Sequence, residues 1–437
     1  MIGDGMGFNH IQAYNYYSGI PKQIYEGFPV KLAMSHYPAK AGEYDAGNPA
    51  LSYFATGYNT REAWTSPDYL KKGVTESAAA ATAMATGFKT YNNAIGLSVD
   101  YDTLENLVEW AKAVGKSAGV VTSVPFSHAT PAGFVAHNRV RTDYQGIAYQ
   151  MLMESRCDLI MGCGNPMFDD NGNPVKGQWK NTGYVGDSIF WVRVMEGSGW
   201  QTKFRIGGLE KTVKDIDGDG NPDPWTVIHS RSEFVALQKG KTPKRLLGCP
   251  DVFTTLQIGR RETNGETPGT PPFITPLIQT VPTLAEMAGG ALNVLDNNPN
   301  GFFVMIEGGA IDWAGHGNLR GRLMEEMKDF NDAVNEAVQW VEKNSSWDET
   351  MLIVTGDHET GFLWGGEPFT PLKDQGKGKL PVMQFNSKDH TNSLIPLFAK
   401  GAGSEYFRSF ADELDSVRGS YIQNAEIPQL IHFLWEK

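Results

Sequence analysis

Cysteine is scarce in this sequence: three residues in 437, Cys157, Cys163 and Cys249. They show no CxxC spacing, which excludes a zinc knuckle and a dense disulfide framework and leaves at most one internal bridge. Long apolar runs are missing too. None approaches the roughly 20 residues that a membrane-spanning helix needs, so no span is predicted. Positive charge is in deficit, with Lys+Arg 38 against Asp+Glu 50 and a formal net charge of −12. Basic patches with interleaved aromatics are also wanting, and together these argue against nucleic acid as the main partner. The same deficit sets a condition. An acidic protein repels anions at long range, so any anion site here would need bound cations to invert the local field. The sequence has no internal repeat and no low-complexity linker.

The start of the chain lacks a charged segment followed by an apolar one, so no signal peptide is recognised. Met1-Ile2-Gly3-Asp4-Gly5-Met6-Gly7 resembles the end of a strand entering a Gly-rich turn without the strand's first half. A missing N-terminal segment, and any signal peptide with it, is therefore expected.

What is present is enough chain for a large core and a clear alternation of helix and strand. Ala78 to Ala85 reads as a helix with Ser77 at its N-terminal end, because alanine is the best helix former and Ser a common cap. Free N–H groups there would suit an anion and favour an ionised Ser77 oxygen. Leu104 to Val114 has helical spacing and stops at Gly115, and Ala118 to Ser123 reads as a buried strand. A helix near Gly146 to Ser155 then leads to a strand over Asp158 to Met161. After Pro282 come a helix from Thr283 to Leu295, a strand over Phe302 to Ile306, a long helix from Leu319 to Glu342 and a strand over Met351 to Thr355. Leu394 to Phe398 is predicted as an edge strand because it contains Pro396, and Ile427 to Trp435 as a closing helix. From Tyr14 to Pro67 the periodicity is too weak to assign elements.

This alternation predicts an α/β fold: an open, mostly parallel central sheet with helices on both faces. Residues 1–164 and 283–437 would form one discontinuous core. Residues 165–282, rich in Gly, Pro and Asn, would form an irregular insertion or cap. Within it, Asp215, Asp217, Asp219, Asn221 and Asp223, with Gly220 at the sixth position, match a calcium loop spanning 215–226. The twelfth position is Thr226 instead of the bidentate Glu, so a polar turn is the competing reading.

Strand ends deliver the chemistry-bearing residues, and ligands bind at the carboxyl edge of such sheets. Asp4 follows an apolar pair and sits between glycines. His128 and Thr130 follow the strand ending at Ser123, and Glu307 follows Ile306. Asp312 and His316 are four apart, one helical turn, so one face can offer both to a single ion. Asp357 and His358 follow Thr355, while Asp389-His390 supplies another imidazole. A lone Asp-His pair is ordinary; several at strand ends indicate a metal centre.

Six segments resemble, in order, the motifs of alkaline phosphatases: Asp4-Gly5-Met6-Gly7, Thr75-Glu76-Ser77-Ala78-Ala79, His128-Ala129-Thr130-Pro131, Glu307-Gly308-Gly309-Ala310-Ile311-Asp312, Thr355-Gly356-Asp357-His358-Glu359-Thr360-Gly361 and Asp389-His390-Thr391. The resemblance spans nearly the whole chain and implies a three-layer α/β/α fold. It further implies hydrolysis of small-molecule phosphate monoesters through a phosphoserine on Ser77. By the same resemblance Asp312, His316 and His390 would hold one zinc, and Asp4, Asp357 and His358 a second. Asp4, Thr130 and Glu307 would serve a magnesium. Nitrogen-bearing sets suit zinc, whereas a hydroxyl with carboxylates suits magnesium.

Arg141, thirteen positions after His128, corresponds to the family's phosphate-binding arginine, with Arg139 as the local competitor. The family connection also carries the expectation of a homodimer and a periplasmic or secreted setting. Two departures stand out. Glu76 precedes the serine where Asp is usual, and His128 and Trp313 stand where some relatives carry Asp and Lys. Alternatives are a phosphodiesterase or other ester hydrolase of the same superfamily, and a catalytically silent metal- or phosphate-binding protein. A sulfatase would want a CxPxR-like segment, which none of the cysteines has.

Overall fold

A computed structural model of the chain describes residues 1–39, 57–175, 182–196, 204–206, 209–261, 267 and 269–436. Its frame is an eleven-stranded sheet among the described residues. In chain order the strands are β1 (Ile2–Gly3), β2 (Val30–Ser35), β3 (Ser117–Pro125), β4 (Leu159–Cys163), β5 (Thr226–Ile228) and β6 (Leu246–Gly248). They continue with β7 (Phe302–Gly308), β8 (Met351–Gly356), β9 (Ile395–Gly401), β10 (Glu413–Asp415) and β11 (Gly419–Gln423). In space the order is β10-β11-β2-β9-β8-β1-β7-β3-β4-β6-β5. From β8 to β5 every neighbouring pair is parallel. The sheet is therefore open and mostly parallel, as the alternation predicts.

Parallel strands covered on both faces should be apolar on both, and they are. Along β3 and β4, Val120 and Ile160 join one core with the helices Ser77–Thr86, Leu107–Ala113 and Glu426–Trp435. Val121, Leu159 and Met161 face the opposite core, with Phe8–Ser18, Leu284–Leu295 and Arg320–Asn344. Successive side chains thus alternate between the two cores, giving three layers. The three cysteines are buried in these cores as free thiols. Among the described residues no helix is long and apolar enough to cross a membrane.

Two expectations need correction. The Leu394–Phe398 run is no edge strand: β9 lies inside the sheet, antiparallel to both β8 and β2. Pro396 is tolerated because pairing with β8 reaches only to Leu397, so the missing N–H falls beyond that ladder. Its carbonyl is used, accepting from Thr355 Oγ1 at 2.8 Å. The second correction concerns residues 165–282, which are not wholly an insertion. β5 and β6 extend the main sheet in parallel next to β4, and Arg231–Leu237 packs against Leu284–Leu295.

Candidate active site

Central strands β1, β7, β3 and β8 end at one edge, and their following residues gather there. Asp4 follows β1, Glu307 lies near the end of β7, and Asp357 follows β8. The Ala-rich segment forms the helix Ser77–Thr86, buried along its whole length and closed by Gly87. Ser77 is its first residue, and Glu76 is the cap. The Glu76 carboxylate accepts from Ala78 N at 2.9 Å and Ala79 N at 2.8 Å. The N–H groups expected to be free for an anion are thus engaged by the acid before the serine.

Glu76 holds more than the helix. It accepts from Asn93 N at 2.8 Å and forms an ion pair with Arg141 Nη1. Arg139, the alternative arginine, stacks on Tyr101 with its guanidinium 4.7 Å from the ring centre. Burial acts to raise Glu76, but Arg141 and the backbone N–H bonds outweigh it and hold the carboxyl below its ordinary range. A depressed carboxyl stabilises the fold above its unfolded pKa, and that stability is lost as pH falls through the folded value. Glu76→Gln is therefore expected to cost about 2 kcal/mol near neutral pH, with the gap to wild type closing below about pH 4. Thermal melts of both proteins from pH 7 to pH 3 check this.

Three imidazoles meet beside Ser77. His316 Nδ1 bonds to the Lys388 carbonyl, and His390 Nδ1 to the Thr75 carbonyl at 2.8 Å. A carbonyl only accepts, so each Nδ1 carries a proton, and in the neutral ring each Nε2 presents a lone pair. Those two Nε2 atoms face one another at 3.1 Å, and Asp312 Oδ1 lies 3.3 Å from His316 Nε2 and 3.4 Å from His390 Nε2. A second set surrounds His358, whose Nε2 is 3.2 Å from Asp357 Oδ2, 3.5 Å from Asp4 Oδ1 and 3.3 Å from Ser77 Oγ. The His358 and His390 rings stack 3.6 Å apart, so the two sets abut.

Beside Asp4 lies a third group. Thr122 Oγ1 donates to Glu307 Oε2, while Glu307 Oε1 and Thr130 Oγ1 are buried without hydrogen-bond partners. His128 stacks on Tyr144 at 5.8 Å and lies 5.8 Å from the Trp313 ring. Burial pushes the His128 imidazole down to about 3, so it is neutral.

The electrostatics of the edge favour positive charge there. Asp4 Oδ1 and Asp357 Oδ2 are likewise buried and unpartnered, and such atoms are expensive to leave so. Burial, then Asp357, Asp312 and Glu307, push the Asp4 carboxyl well above its ordinary value. Burial also lifts Glu307 to about 7 and Asp357 to about 6. Asp312 runs the other way. Burial would raise it, but when the imidazoles around it are protonated, His390 first and then His316 and His358, they outweigh burial and hold it low. Facing lone pairs, crowded carboxylates and orphaned oxygens are the donor chemistry of cation sites, so the residues fit metal ions.

The calcium-like loop stands apart. Asp215 accepts from its own turn, from Gly218 N at 2.6 Å and Gly220 N at 2.8 Å. Lys244 Nζ lies 2.5 Å from both Asp217 and Asp223, which puts an ammonium among these carboxylates. Sequence reasoning gave no role to Glu76 as a cap, to Thr122 or to the Thr360 hydroxyl. All three lie in or beside segments that carry site residues.

Together these features define a three-layer α/β protein with a candidate metal centre at the carboxyl edge of its sheet. The family model for alkaline phosphatase matches residues 1–429, and the chain belongs to that family. It is 27% identical to alkaline phosphatase 4 of Bacillus subtilis, over 95% of this chain and 86% of the relative. It is also 27% identical to the alkaline phosphatase of Escherichia coli, over 95% of this chain and 83% of that one. The fold matches the alkaline phosphatase of the Antarctic bacterium TAB5 with a TM-score of 0.62 at 22% identity, covering 100% of this chain and 96% of that one. A mutant of the TAB5 protein was solved with magnesium bound in a site termed M3. A cold-active enzyme from Shewanella sp. matches with a TM-score of 0.65 at 22% identity, covering 100% and 99% of the two chains. The protein is a phosphoric monoester hydrolase.

Proposed function

We propose that hydrolysis runs through a phosphoserine on Ser77, with two zinc ions and one magnesium as cofactors. Asp312, His316 and His390 would hold one zinc, and Asp4, Asp357 and His358 the other. Thr130 and Glu307, with Asp4, would serve magnesium; the TAB5 mutant with magnesium in its M3 site supports a third ion in this family. The observation that carries the reading is the convergence on His358 Nε2 of Ser77 Oγ at 3.3 Å, Asp357 Oδ2 at 3.2 Å and Asp4 Oδ1 at 3.5 Å.

When bound, the cations supply the positive charge that favours ionised Ser77, activates the second-step water and offsets charge on the ester oxygens. The rest is done by the chain. The helix starting at Ser77 presents the oxygen at the sheet edge, and Arg141, aimed by Glu76, grips two nonbridging phosphate oxygens with its planar fork. Ser77 Oγ attacks phosphorus in line, a P–O bond to serine forms, and the bond to the leaving alcohol breaks. Water then attacks the same phosphorus from the vacated side, which frees inorganic phosphate and restores the hydroxyl. Acid-quenched turnover with p-nitrophenyl phosphate, followed by peptide mass analysis, tests this. A phosphoryl group on the Ser77 peptide is expected; full turnover without any adduct there speaks against the reading. A panel of mono- and diesters separates it from the diesterase alternative, with monoesters expected to be preferred.

Calcium at the 215–223 loop is the weaker reading, because the Lys244 ammonium already pairs with both Asp217 and Asp223. Added calcium is expected to leave the melting temperature of the magnesium- and zinc-loaded protein unchanged; a concentration-dependent rise would favour calcium there. The remainder of 165–282 outside β5 and β6 is proposed to flank the catalytic sheet. A homodimer and a periplasmic or secreted setting are proposed from family membership, and light scattering and cell fractionation check them.

A further inference from the structure

We infer that Thr360 is a positioning residue that locks the two zinc-ligand sets to each other through one hydroxyl. This inference rests on the metal reading above. Thr360 is fully buried, and its Oγ1 lies 2.6 Å from Asp312 Oδ1 and 3.3 Å from His358 Nδ1. A hydroxyl has one proton to give. An ionised carboxylate only accepts, so that proton goes to Asp312, and the hydroxyl oxygen must accept from His358 Nδ1–H. The consequence is a fixed tautomer: His358 Nε2 is left as a lone pair, aimed at Ser77 Oγ, Asp357 and Asp4.

His316 and His390 have their Nδ1–H taken by the backbone carbonyls of Lys388 and Thr75, neither of which is a ligand of either set. His358 differs, because its partner is a side chain that also holds a ligand of the neighbouring set. Partners of this kind orient ligands and tune metal affinity.

The surroundings of Thr360 are shaped for it. Its N–H donates to the Gly5 carbonyl at 3.1 Å, its carbonyl bonds His10 Nε2 at 3.1 Å, and it pairs across a short ribbon with His390. Two glycines make the space. A Cβ on Gly5 would stand 2.7 Å from Thr360 Oγ1, and one on Gly315 would stand 2.8 Å from Thr360 Cγ2. Gly5 follows Asp4, and Gly315 lies between Asp312 and His316. One threonine thus abuts the segments carrying Asp4, Asp312, His316, His358 and His390. The hydroxyl is in a position to make binding at the two zinc sites interdependent.

Thr360→Val keeps the shape and removes the hydroxyl, whereas Thr360→Ser keeps the hydroxyl. Zinc retention against a graded chelator series is the first readout, measured on wild type and both variants. Thr360→Val is expected to release both zincs at about 10- to 100-fold lower chelator concentration, with Thr360→Ser near wild type. The second readout, nitrogen-15 NMR of histidine in zinc-loaded wild type, needs no variant. It is expected to show His358 protonated at Nδ1 and metal-bound at Nε2.

Wild-type retention in a folded Thr360→Val, loss from one site alone, or His358 ligation through Nδ1 would overturn the inference. If Thr360→Val does not fold, the NMR assignment and the Thr360→Ser retention decide it. A wild type that binds no zinc would instead contradict the parent reading, which keeps the two failures distinct.

Discussion

Ser77→Ala is expected to lower p-nitrophenyl phosphate turnover by about 10³-fold or more while leaving bound zinc unchanged. The size follows from what is lost. Deleting the nucleophile removes the covalent route, and what remains is attack by water on an ester that is still bound and oriented. Metal retention follows because the donor atoms of both sets come from other residues. His358 Nε2 contacts Ser77 Oγ at 3.3 Å, yet the ring is held from its far side, at Nδ1, by Thr360. Removing the hydroxyl should leave that arrangement in place. Steady-state kinetics and metal analysis on the same preparation check the pair of outcomes. A silent binding protein would give a different pattern, with zinc bound and no turnover in the wild type either.

Stripping the metals is the second large effect. Dialysis against a strong chelator is expected to abolish turnover, and zinc with magnesium should restore it. Stability should fall together with activity. Asp4, Asp357 and Glu307 are buried, and burial raises each of them, with like charges adding to Asp4. Without cations their ionised forms are penalised. Ions that bind only the folded state contribute about 2.7 kcal/mol at 100 times their dissociation constant, so a melting temperature several degrees lower is expected.

The sign of the accompanying pH effect is fixed by those raised values. In stripped protein, a carboxyl whose folded pKa lies above its unfolded one binds a proton more tightly when folded. Its destabilising effect is therefore absent at low pH and grows as pH rises through the unfolded value up to the folded one, about 6 for Asp357 and about 7 for Glu307. Differential scanning calorimetry of stripped and loaded protein from pH 5 to pH 8 should show the gap widening with pH.

Where periodicity was strong, the fold could be read from sequence alone. The runs at Ala118, Asp158, Phe302 and Met351 are continuous and apolar, and all but the one at Asp158 lead into residues that serve the site. All four are strands of the parallel block. Short or atypical elements were not legible. β5 and β6 have three residues each and lie among Gly, Pro and Asn, too short for any period to emerge. β2 is hidden in an aromatic stretch, and β9 was demoted by Pro396 although its missing N–H falls outside the β8 ladder.

For the site, spacing along the chain carried the ligand segments, because a helical turn from Asp312 to His316 or a strand end at Asp357 is local geometry. Glu76 and Thr360 escaped for a different reason. Serine is the commoner cap in isolation, so the preceding acid drew no notice as one. A threonine hydroxyl has no pattern of its own, and its partners Asp312 and His358 come together only in the folded chain.

Everything depends on cations drawing an ordinary hydroxyl and two sets of ligands into one centre. Anomalous X-ray diffraction at the zinc edge, on crystals of active wild-type protein, tests this most directly. Two zinc peaks are predicted, one among Asp312, His316 and His390 and one among Asp4, Asp357 and His358 beside Ser77, with zinc–nitrogen distances of about 2.0–2.1 Å. Fully active crystals with no metal at these positions, or with zinc bound elsewhere, would contradict the account.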